Sequence, residues 1–135
     1  MTRYITLVAM IATLSLTSAA TANPPLRDVK EIDDGLFAVA LADQIRKTCP
    51  EISARIFPAY RALRDLQNTA RSMGYSQAEI DAHIESDAEK DRLRARGAQY
   101  FRQEGLAADV AGHCALGRKE IARNSTVGVL LKVSQ

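Results

Sequence analysis

The chain has 135 residues, enough for one ordinary domain with a modest core, and 18 basic against 16 acidic side chains leave a net charge of +2. That balance gives no electrostatic case for nucleic acid, where a clustered basic surface is needed. Tryptophan is absent and aromatic residues are few, which weakens readings that need stacking platforms for bases or sugars.

The first segment reads as an export leader. Arg3 precedes a mostly apolar run from Tyr4 to Leu16, and Ala20-Thr21-Ala22 is a small-x-small cleavage site ahead of Asn23-Pro24-Pro25. These are the three parts of a secretory signal peptide. The run falls short of the about 20 apolar residues a membrane span needs, so no stable span is expected after cleavage. Residues 1–22 are therefore expected to be removed, leaving 23–135 as a single helical domain with a balance of +1. Its expected location is the periplasm, with secretion beyond the cell the other open possibility.

The remaining chain is rich in Ala, Leu, Arg, Glu and Gln, all good helix formers. The fold class expected is all-α, a single small bundle of about five helices tied by one disulfide. Leu26 to Glu31 fits a first turn or an arm. A helix over 32–49 carries Leu36, Val39, Ala40 and Ile45 near one face. Asp33 and Asp34 at its start and Arg46 and Lys47 at its end suit the helix dipole. Pro50 stops it after Cys49. A second helix over 52–73 has the strongest amphipathic pattern, with Ile56, Ala59, Tyr60, Leu63, Leu66, Ala70 and Met73 at three- and four-residue spacing. Pro58 should kink it or restart it near Phe57, and Gly74 should end it.

Ser76-Gln77-Ala78-Glu79 is a capping box opening a third helix with Ile80 and Ile84 inward. The charges from Glu79 to Arg96 read as a solvated face laced with ion pairs. A fourth helix, from near Ala88 to Glu104, turns Leu93, Gly97, Tyr100 and Phe101 inward and ends at Gly105. Asp109 caps a fifth, with Val110, Cys114, Gly117 and Ile121 on one face and small residues that permit close helix approach. Thr126 to Val133 fits a short helix or an extended arm, the helix being preferred.

Two cysteines in an exported chain are most simply a disulfide, because such compartments are oxidising. Cys49 and Cys114 would close a loop of 65 residue steps. Among metal-ligand patterns, Glu79, His83 and Asp87 fall four apart on one expected helix. Zinc sites need three or four ligands with a supporting shell, and no further ligand completes this set. A solvated acidic face accounts for it, so no metal or other cofactor is assigned. His113 and Cys114 are neighbours about 100 degrees apart on a helix and do not face each other, and a disulfide sulfur is no nucleophile. His113 is expected to be partly exposed. The tyrosines Tyr60, Tyr75 and Tyr100 fit core positions as well as a pocket. No catalytic residue is assigned.

The runs Thr48-Cys49-Pro50, Ser53-Ala54-Arg55, Ser72-Met73-Gly74-Tyr75-Ser76 and Cys114-Ala115-Leu116-Gly117-Arg118, with Ile121 and Ser125, resemble a family of small exported alphaproteobacterial proteins of uncharacterised function. The resemblance covers nearly all of residues 23–135. It implies that both cysteines belong to the family's design and supplies no catalytic residues. The chain is also similar, in architecture alone, to the small disulfide-joined acid-stress chaperones of the periplasm. Three readings follow: a non-catalytic periplasmic binding or interaction module, an acid-stress chaperone-like protein, and an enzyme with an unrecognised site. Another periplasmic protein is the partner class considered. A deep polar pocket would favour the enzyme, and an apolar groove would favour the binder.

Overall fold

A computed structural model describes residues 22–134, so all but the last residue of the expected leader lies outside the described residues. The chain enters through a 3-10 turn at Leu26–Asp28 and then forms α1 (Lys30–Thr48). A short strand β1 (Ile52–Ala54) leads into α2 (Ile56–Ser72), followed by α3 (Gln77–Glu85), α4 (Asp87–Gln103) and α5 (Val110–Ala122). A 3-10 turn at Gly128–Leu130 precedes β2 (Leu131–Val133), which pairs antiparallel with β1. The architecture is all-α apart from that small ribbon, as the composition predicts.

Helix α1 is the axis of the bundle, with α2, α4 and α5 packed on it. Its buried residues Phe37, Leu41 and Ile45, with Cys49 just past its end, meet Phe101 of α4, Leu116 and Cys114 of α5, and Ile52, Val127, Leu130 and Leu131 from the ribbon region. Close approach of α5 depends on Gly117: a Cβ there would collide with the side chains of Ile45 and Ile52. A second, smaller cluster joins Leu26, Ile32, Ala70, Tyr75 and Ile80 beneath the chain's entry. Tyr75 donates its hydroxyl hydrogen to the Pro24 carbonyl at 2.5 Å, fastening the leading segment there.

The disulfide joins Cys49 to Cys114, with Cα atoms 5.1 Å apart. It ties the end of α1 to the interior of α5, and both cysteines are buried. Helix ends follow the sequence signals closely. Ser76 accepts from the Glu79 amide at 3.2 Å while the Ser76 amide donates to Glu79 at 2.7 Å, completing the capping box. Asp109 accepts from Gly112 at 2.7 Å. Gly74 and Gly105 close α2 and α4 in the left-handed region, where a Cβ is penalised.

Several expectations need correction. The second helix does not begin at Ile52. Ile52–Ala54 pairs with Leu131–Val133, so the chain from Thr126 contains both expected forms: a single 3-10 turn, with Ser125 accepting from the Gly128 amide at 3.0 Å, and then a strand. Pro58 does not kink α2, because it lies in the first turn, where the amide it lacks has no intrahelical acceptor. The other expectation, a restart near Phe57, holds, since the helix begins at Ile56. Ser86 separates α3 from α4 by taking an extended conformation and accepting from the Glu89 amide at 3.3 Å.

The charged face is also not wholly solvated. Glu89 is buried, bonded to Arg92 at 2.9 Å and paired with Arg27. Arg92 and Arg96 of α4 reach across to Asp33 and Asp34 of α1, with Arg96 at 2.8 Å and 2.6 Å. The Arg96 guanidinium lies 4.1 Å over the Phe37 ring, so its charge is held by carboxylates and by an aromatic face together. Asp33 and Asp34 thus clamp two helices as well as suiting a dipole. His113 is 3% exposed rather than partly exposed. Its ring lies 4.5 Å from that of Phe101, and its Nδ1 is 2.7 Å from the Asp109 carbonyl. Glu120, also buried, accepts from Tyr100 at 2.9 Å and Arg123 at 2.7 Å.

Candidate functional site, an apolar groove over α1

The stripe on α2 is wider than its packing partners. Its C-terminal half is used: Ala70 is buried, and Leu66 covers Gly35 of α1. Its N-terminal half is not. Ile56 is 69% exposed, Phe57 83% and Tyr60 65%. Leu63 and Met73, expected inward, are also exposed, as is Ile84 of α3. Residues that periodicity assigns to a core therefore face solvent. Periodicity shows that a face is apolar, and only the packing shows whether anything covers it.

The uncovered faces enclose a groove of about 580 Å³, within the about 300–1,000 Å³ typical of ligand sites. Leu36, Val39 and Ala40 of α1 form its floor. Ile56, Ala59, Tyr60 and Leu63 of α2 form one wall, and Ile84 of α3 with Leu93 of α4 forms the other. The break at Ser86 lets α3 and α4 diverge from a single axis, so that both contribute to that wall. Charges enter at the edges. Asp43 and Arg46 continue the α1 floor, and Lys90 comes from α4. His83 and Glu89 also border the groove.

Electrostatics fix the states of these groups. Burial holds the His83 imidazole below its ordinary value, against the raising charge of Glu89, so it is neutral at pH 7. Burial pushes the Glu89 carboxyl up, but the Arg92 hydrogen bond and the Arg27 charge outweigh it and hold it low. Asp43 is likewise raised by burial and lowered further by Lys47 and Arg46. Both carboxylates are ionised and already partnered. Away from the groove, burial and the Glu120 bond raise the Tyr100 hydroxyl to about 12.

The three metal-ligand candidates are not drawn to one point. Glu79 is committed to its capping box. His83 sits four residues on and faces the groove. Asp87 lies beyond the Ser86 break, on a different helix, with a 93% exposed side chain 3.3 Å from Lys90. Among the described residues, the one trio of candidate donors converging within 4.8 Å is Cys49, Glu51 and Cys114, and there both sulfurs are in the disulfide. Of the tyrosines, Tyr75 is core, Tyr100 half-buried, and Tyr60 lines the groove.

Fold and groove define a small disulfide-tied helical protein with an apolar surface site. The family of unknown function DUF5333 matches residues 24–132, a span holding both cysteines and every groove residue, and the chain belongs to that family. No curated protein and no solved structure matches it.

Proposed function

We infer that the protein is a non-catalytic binding module of the periplasm whose groove over α1 receives an apolar ligand. The observation that carries this reading is the exposed α2 face opposite Ile84 and Leu93. Contiguous exposed apolar surface of this kind marks interaction sites. Export is supported by the leader pattern in residues 1–22 and by the disulfide, which suits an oxidising compartment. Among the described residues no helix is long and apolar enough to cross a membrane.

Nile red, a neutral apolar dye, tests the groove. Saturable fluorescence enhancement is expected with the wild type, and its loss is expected in Ala59→Trp, whose indole fills the groove. Enhancement that persists in a folded Ala59→Trp protein overturns the assignment. For location, fractionation of the native host should place the chain in the periplasm with Asn23 at its N-terminus. A cytoplasmic chain retaining Met1 overturns it.

One observation favours an acid-stress chaperone as a second reading. Glu89 borders the groove and holds the entering segment through Arg27 and α4 through Arg92. Acid that protonates Glu89 loosens that edge and widens the apolar surface. Protection of client proteins from aggregation at low pH supports this reading; its absence removes it.

A further inference from the structure

Charge is distributed unevenly along the groove. At one end Leu36 meets Leu63 and Leu66, and the nearest titratable group there is the uncharged His83. Ten residues further along α1 lies Arg46, about 15 Å away at 1.5 Å per residue. At that end Asp43 lies 2.5 Å from Arg46 and 2.5 Å from Lys47. Lys90 faces the same end from α4, and it borders both the groove and the adjoining hollow that contains Lys47. Its ammonium donates to the Glu85 carbonyl at 2.9 Å and pairs with Asp87 at 3.3 Å, almost wholly in solvent, where such pairs contribute little. Three cations therefore face two carboxylates, Asp43 and the exposed Asp87, which leaves an excess of one positive charge. The other acid on the groove, Glu89, is taken up by Arg27 and Arg92.

We propose that the groove binds a single-chain amphiphile with a carboxylate head, of the long-chain fatty acid class, with its tail along Leu36 and Leu63 and its head at Arg46 and Lys90. This rests on the groove being a binding site and adds the ligand's polarity and direction. The volume, about 580 Å³, is that of a small-molecule site. A protein partner would instead engage a surface of about 800 Å² per side. A chain lying along α1 uses the floor and both walls, and its head meets the positive excess by competing with the exposed Lys90–Asp87 pair.

The test is isothermal titration of the full mature chain with decanoate, decanol and decyltrimethylammonium, and with octanoate and laurate as a length series. Binding in the order decanoate, decanol, decyltrimethylammonium is expected, with affinity rising about threefold to fourfold per added methylene until the groove is full. Arg46→Gln with Lys90→Gln, both at exposed positions, should weaken decanoate about fivefold to tenfold and leave decanol unchanged. Equal binding of all three heads, abolished by Ala59→Trp, overturns the head assignment and leaves the groove reading standing. If no amphiphile binds but the wild type sediments as a dimer that Ala59→Trp converts to a monomer, the groove is covered by a second copy and the proposal is overturned. No binding and no change in Ala59→Trp overturns this proposal and the groove reading together.

Discussion

Phe57→Ser tests whether the exposed start of α2 is free in solution. Full burial of a phenylalanine side chain stabilises a protein by up to about 3 kcal/mol. Phe57 is 83% exposed, so less than a fifth of that is at stake, or about 0.5 kcal/mol. Serine and phenylalanine have similar helix propensity, so the backbone adds little. Phe101 is the contrast: it is 1% exposed in the main core, and Phe101→Ala should cost about 3–5 kcal/mol through lost contacts and a residual cavity. Urea unfolding followed by circular dichroism measures both, with a shared slope expected because neither substitution changes the surface exposed on unfolding. A loss of more than about 2 kcal/mol for Phe57→Ser, far outside the normal range for surface substitutions, would show that the ring is buried in solution. The reasoning that leaves the α2 face free would then fail.

Three further outcomes are expected. Replacing both cysteines by alanine should remove about 4 kcal/mol, the chain-entropy value for a loop of 65 residues; a loss under 1 kcal/mol in urea unfolding would show that the bond is marginal to stability. Gly117→Val should destabilise by more than 2 kcal/mol, because its side chain meets Ile45 and Ile52 with no space to move into; a wild-type midpoint would show that α5 can retreat from α1. For pH, Glu89 and Asp34 titrate lower in the folded chain than their ordinary values, so the unfolded chain binds more protons in acid. Their contribution is complete above about pH 5 and declines as pH falls through the folded values. Glu89→Gln should flatten the acid limb of stability against pH, and an unchanged slope would show that the Arg27–Glu89–Arg92 cluster is not linked to folding.

What was readable from local sequence proved to be whatever is decided locally. The capping box at Ser76 and Glu79, the Asp109 cap, the glycine stops at 74 and 105 and the end of α1 before Pro50 all rest on backbone groups within a few residues. The Cys49–Cys114 pairing was also readable, since a chain with two cysteines offers each one intramolecular partner. Non-local features were not. Ile52–Ala54 reads as helix until Leu131–Val133 arrives from the other end of the chain to pair with it. His113 reads as partly exposed until Phe101 packs against its ring.

The candidate site divides along the same line. The apolar stripe on α2 is legible from residue order alone, because helical periodicity follows from 3.6 residues per turn. That the stripe's first half is unpaired emerges from packing, because burial depends on where neighbouring helices lie. Leu66 and Ala70 find α1 and the small cluster around Tyr75, whereas the Ser86 break and the α4 clamp on Asp33 and Asp34 set α3 and α4 apart from Ile56 and Tyr60. An apolar face that would read as core is thereby left as a groove.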